Sequence, residues 1–157
     1  MKKTLVHGVQ ITTPATFVEM SDDEMKQAFN DNNSHRWGAR DVRHHRMFVI
    51  MWQDSNALLA KLVSTKALIK RIEKISSKGY AGHDYQAGSF FQKSVCGLEA
   101  EGYEFTYKVQ GIPQHMQNIV FKHGKTCYTI YWVDRPGSGK ASDKALESIL
   151  DSMELAQ

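Results

Sequence analysis

The stretch closest to phosphate-binding chemistry is Gly137-Ser138-Gly139-Lys140. A phosphate loop places Gly, four residues, then Gly-Lys-Ser/Thr, so that successive amides cradle the phosphates and the hydroxyl reaches Mg²⁺. Here Asp134 stands at the first position and Ala141 follows Lys140, so nucleotide binding is not expected. Seven histidines raise the question of a metal. His44 and His45 are adjacent, so on a strand they point to opposite faces and cannot share an ion. No HxH, HExxH or CxxC spacing accompanies them. Cys96, His115, His123 and Cys127 fall near strand ends whose meeting no linear spacing dictates. Ser94-Val95-Cys96-Gly97 is not a nucleophile elbow, and no G-x-S-x-G occurs. Glu99 and Glu101, beside Gly102, read as water-facing carboxylates near a strand end. The sequence therefore predicts no catalytic residue, no cofactor-binding residue, no metal ligand and no cofactor.

Charge asymmetry is the remaining signal. Residues 36–78 carry ten Lys or Arg against Asp41, Asp54 and Glu73, a net +7 in a chain whose formal charge is +3. Within that segment Lys66, Lys70 and Lys74 recur at a spacing of four, which stacks them on one face of a helix. Such a row is either an ordinary solvated helix face or a surface for an acidic protein or lipid headgroup. These three lysines are the candidate partner-binding residues, with an acidic protein surface as the expected partner. Nucleic acid is not expected, because no recognised binding motif accompanies a modest overall charge.

The elements that must position these residues follow from capping and periodicity. Strands are predicted around Gly8–Thr12 and at Thr16–Glu19, with a turn at Pro14. Ser21-Asp22-Asp23-Glu24 is a capping box that starts a helix with Met25, Ala28 and Phe29 inward, and Asp31 to Ser34 ends it. Met47–Trp52 is apolar at every position, so this strand needs cover on both faces. A long helix is predicted from about Ser55 to Lys78, capped by Asp54, Ser55 or Asn56 and stopped by Gly79. Its stripe is Leu58, Leu62, Ile69, Ile72 and Ile75, with Ser64-Thr65 as a bend. From Tyr80 to Asp134 only strands are read. Tyr103 to Val109 alternates with period two, Met116–Lys122 follows a turn at Gly111-Ile112-Pro113, and His123-Gly124-Lys125 is a hairpin. Thr126–Val133 is again apolar on both faces, and a last helix runs from about Ser142 to Met153 on Leu146, Ile149, Leu150 and Met153. Cys96 and Cys127 are read as small buried free thiols in strands.

Strands joined by short turns are antiparallel, and two strands needing double cover place helices on both faces. The fold class predicted is α+β, a three-layer α/β/α sandwich with a central antiparallel sheet of about six or seven strands. Trp52 and Trp132 should be mostly buried in it. A chain of 157 residues with 41% hydrophobic and 10% aromatic residues suits one such domain over 1–157 and excludes a disordered chain. The longest apolar run, Met47–Trp52, is far short of the roughly 20 residues of a membrane span. Met1-Lys2-Lys3 is followed by no apolar h-region, so a cytoplasmic protein is expected. The alternative is an extracytoplasmic one whose leader has been removed, and only then would a membrane anchor enter.

The order of these parts carries a family likeness. "GVQITTPATFVEM" precedes a capped helix, a strand and a long helix. "VCGLEAEGYEFTYKVQG" and "GKTCYTIYWVD" supply the antiparallel run, and "ALESILDSMEL" closes the chain. This resembles a bacterial-type member of the PsbP/Mog-like (DcrB-like) fold family, over nearly the whole chain. The likeness implies action by binding proteins, as an adaptor, assembly subunit or chaperone, rather than catalysis, and transfers no functional residue. Two functions follow. One is a non-catalytic protein-interaction module; the other is a small-molecule-binding protein or enzyme with a pocket lined by Trp37, Tyr80, Tyr85 and Tyr103. An enclosed aromatic pocket would favour the second, and an open groove the first.

Overall fold

Met47–Trp52, apolar on both sides, needs cover on both faces, and the computed structural model of the chain supplies it. The structure describes residues 1–31, 33–56 and 62–156. In chain order the strands are β1 Lys2–Val6, β2 Val9–Thr13, β3 Val18–Glu19, β4 Arg36–Asp41, β5 Arg46–Asp54, β6 Gln86–Val95, β7 Leu98–Val109, β8 Ile112–His123, β9 Thr126–Asp134 and β10 Glu154–Leu155. The described helices are α1 Asp22–Phe29, α2 Thr65–Gly79 and α3 Gly139–Ser152. Seven strands form an antiparallel sheet in the order β3-β4-β5-β9-β8-β7-β6, and β1-β2-β10 form a small second sheet. The two doubly apolar strands, β5 and β9, are neighbours in the middle, with Phe48 opposite Trp132 and Ile50 opposite Ile130.

Pleating divides the core. Phe48, Ile50, Ile119, Phe121, Ile130 and Trp132 point to one face, where Leu146, Ile149 and Leu150 of α3 and Val9 and Ile11 of β2 cover them. The Ser152 hydroxyl links the two covering elements, accepting from the Thr12 amide at 3.1 Å while donating to the Ile149 carbonyl at 2.6 Å. On the other face α2 lays Leu68, Ile69 and Ile72 over Tyr103, Phe105, Met116 and Val120. Beside it α1 brings Met25 and Phe29 onto Met47, Val49 and Met51. The three-layer α/β/α sandwich over a seven-stranded antiparallel sheet is as expected.

Local chemistry explains where elements begin. Ser21 and Glu24 form the reciprocal capping box, a device whose loss costs about 0.5–2 kcal/mol. Ala28, expected inward, is exposed, because Met25 and Phe29 alone reach the sheet. The predicted helix from Ser55 is corrected: α2 begins at Thr65, and Ser64-Thr65 is its start rather than a bend. Ser64 has extended backbone and its hydroxyl accepts from the Ala67 amide at 3.1 Å. Asp54 closes β5 instead of capping a helix, and Leu58 lies outside the described residues. The predicted stripe shrinks accordingly, since Leu62 and Ile75 are 72% and 61% exposed. Trp132 is fully buried, whereas Trp52, near the end of the interior strand β5, is only half-buried and stacks with the rings of His7 and His35. Cys96 is not in a strand. With Gly97 it forms the two-residue β6–β7 turn, both at positive φ, as the twist of a hairpin favours.

Candidate functional site

Of the residues capable of chemistry, the structure gathers His115, Asp134 and Ser142. His115 on β8 is the register partner of Asp134 on β9, and its Nδ1 lies 2.7 Å from Asp134 Oδ1. The Ser142 hydroxyl on α3 donates to Asp134 Oδ2 at 2.5 Å, and the Trp132 indole donates to the same oxygen at 3.2 Å. A nucleophile relay puts the imidazole between hydroxyl and carboxylate. Here the carboxylate is in the middle, and Ser142 is fully buried with its proton committed to Asp134. The cluster ties β8, β9 and α3 together and attacks nothing.

Its titration has a definite sign. The hydrogen bond to Asp134 outweighs burial and holds His115 above its ordinary 6.5, with Glu104 adding to the effect. Burial pushes the Asp134 carboxyl up, but hydrogen bonds from His115, Ser142 and Trp132 bring it below its ordinary 3.8. The His115 contribution to stability is full below 6.5 and lost as pH rises through the raised value. The Asp134 contribution is full above 3.8 and lost as pH falls through the lowered value. Urea midpoints of the wild type should therefore fall as pH rises above 6.5, and His115→Gln should flatten that fall. Equal falls in both proteins would remove His115 from the account.

On the α1/α2 face a gap lies beside α2 over β5 and β9. A groove of about 590 Å³ opens there, floored by Met51, Thr129 and Tyr131 and walled by Leu68, Arg71 and Ile72. Burial pushes the Tyr131 hydroxyl up to about 12, so it stays neutral. Cys127 also lines the groove. Burial pushes its thiol up, against a smaller opposite pull from Lys122, the reverse of what activates a nucleophilic cysteine. The groove has the chemistry of a mixed binding surface: Met51, Thr129 and Tyr131 in its floor, with His35, Asn33 and Arg71 around it.

Lys66, Lys70 and Lys74 stand exposed on the outer side of α2. None has a carboxylate within ion-pair distance among the described residues. The aromatic pocket is corrected. Tyr80, Tyr85 and Tyr103 do meet, but as a packed cluster with Phe105 and Tyr107, in which Tyr80 and Tyr107 centroids lie 4.4 Å apart. The Tyr85 and Tyr103 hydroxyls bond each other at 2.5 Å. Trp37 lies elsewhere, on β4, with its indole donating to Glu19 at 2.6 Å. His44 and His45 lie in the β4–β5 turn rather than on a strand, and His44 is bound to Asp41. No three His, Cys, Asp or Glu side chains among the described residues converge as metal ligands, and Cys96 and Cys127 are free. No described helix is long and apolar enough to cross a membrane.

No family model matches the chain. No curated protein matches it in sequence. Solved structures do match in shape. Cyanobacterial PsbP (CyanoP) from Synechocystis sp. PCC 6803 superposes with TM-score 0.70 at 10% identity, over 98% of this chain and 91% of that one. The Saccharomyces cerevisiae Ran-binding protein Mog1p gives 0.55 at 8% identity, over 99% and 95%. This chain has the PsbP/Mog-like fold. A protein of Bacteroides thetaiotaomicron VPI-5482 matches with TM-score 0.63 at 13% identity, over 96% of this chain but 46% of that one, so this chain spans under half its length. At such identities the PsbP/Mog-like likeness is one of fold, and function lives in sites placed on it.

The groove and the Asp134 cluster escaped the sequence reading. Each depends on strand register and on how a helix packs over the sheet, which leave no linear spacing.

Proposed function

We propose that the protein is a non-catalytic interaction module, an adaptor, assembly or chaperone-like subunit, that docks an acidic protein surface on α2. The observation carrying this reading is the row Lys66, Lys70 and Lys74, exposed along one helix face with no carboxylate neutralising it among the described residues. Like charges four apart cost a helix about 0.2–0.5 kcal/mol per pair, so the row does not help α2 to form. It does project a positive potential that raises the encounter rate with an acidic surface. The likeness in fold to Mog1p, a Ran-binding protein, and the open groove beside α2 support a protein-binding role. The groove also keeps a second reading, small-molecule binding, in play, since about 590 Å³ is a ligand-sized volume.

A photo-crosslinking residue at position 70 tests the proposal in a native lysate, with position 147 on the exposed side of α3 as control. Crosslinks from position 70 to acidic segments of a partner, absent from position 147, are the expected result. Equal, non-specific labelling from both positions would remove α2 as the docking face.

A further inference from the structure

We infer that a second cleft, at the β4–β5 hairpin end of the same sheet face, binds a carboxylate carried on an apolar chain. The cleft encloses about 350 Å³. Met47, Tyr107, Val109 and Val133 give it an apolar floor, and Arg46 and Arg135 stand in its wall. Two features mark it as a ligand site. Val42 and Val109, both lining it, are 65% and 47% exposed, so apolar surface is held open beside charge. The two guanidinium groups also have no ion-pair partner among the described residues, and the Arg46 Nε is buried without a protein partner. Neighbouring charges are already committed. Arg40 pairs with Glu24, and the Asp41 oxygens are taken by Thr16 and His44. Arginine is suited to a carboxylate because its planar fork matches both oxygens, while the floor receives the chain behind it.

Two sources share this chemistry: a free medium-chain fatty acid, and the C-terminus of a peptide ending in an apolar residue. Titration of the full chain by amide NMR separates them, using decanoate, an acetylated tetrapeptide ending in Leu-Val with a free carboxylate, and the same peptide as its amide. Shifts of residues 42–47, 107–114 and 133–135 with a Kd below about 1 mM are expected for at least one acid. Binding of decanoate alone assigns a free acid, and binding of the peptide acid assigns a chain terminus. Arg46→Gln/Arg135→Gln should weaken that binding at least tenfold. Should this variant fail to fold, Val109→Glu, which places a carboxylate at an exposed position of the cleft, should do the same. Three results would overturn the inference: no acid binding, equal binding of peptide acid and amide, or binding unchanged in a folded variant. The α2 lysines take no part, so this test and that of the docking face fail separately.

Discussion

Asp134→Ala should destabilise the protein by about 3–5 kcal/mol, the cost of stripping one partner from a buried charged pair. The magnitude follows from what the carboxylate holds. His115, Ser142 and Trp132 all direct a polar hydrogen at it, and Asp134 is 3% exposed. Removing it leaves a buried hydroxyl and indole without their acceptor and an imidazole without its counter-charge. Asp134→Asn keeps an acceptor and should cost less, while losing most of the grip on the His115 proton. Urea denaturation near pH 6 measures both. A loss below about 1 kcal/mol for Asp134→Ala would show that the cluster does not hold β9 to α3.

Trp132→Ala should be comparably damaging, by about 3–5 kcal/mol, from lost burial plus the cavity left behind. The indole is fully buried between the sheet and the α3 layer, against Phe17 at a centroid distance of 6.1 Å. For a chain of this size that corresponds to a melting temperature lower by roughly 6–20 °C. Trp132→Phe retains most of the ring packing and should fall between wild type and Ala. A near-neutral Trp132→Ala would contradict the three-layer core. The two sites share a hydrogen bond, so their effects should combine non-additively.

How much of this was legible in the sequence depends on how local the causes are. The Ser21–Glu24 capping box acts within four residues and is legible in the sequence. Continuous apolar runs at β5 and β9 called for double cover, and period-two alternation marked β7. Three strands leave no clear linear signal: β1, β4 and the two-residue β10. Lys2–Val6 pairs with Val9–Thr13 but buries only Val6, so no alternating pattern marks it. Arg36–Asp41 hides its charged ends in contacts outside the strand: Arg36 lies 2.6 Å from Asp31 and 4.7 Å from the Phe29 ring centre, and Asp41 accepts from Thr16. Ser64 carries two linear signals at once, a bend within a long helical stripe and a cap at the start of a shorter one, and only packing decides between them. The lysine row was visible because helical spacing is linear information. The groove, the arginine cleft and the Asp134 cluster were not, since each joins residues through strand register.

The central claim, docking through α2, is tested most directly by comparing Lys66→Gln/Lys70→Gln/Lys74→Gln with wild type in capture from a native lysate across a salt series. Exposed substitutions of this kind should change stability by no more than about 0.5 kcal/mol each, so both proteins enter the experiment folded. Wild type should retain an acidic protein at low salt and release it as ionic strength passes about 0.15 M, where charges are screened beyond roughly 8 Å. The triple variant should lose that protein at every salt concentration. Capture of the same proteins at the same strength by both would contradict the account and leave α2 an ordinary solvated helix.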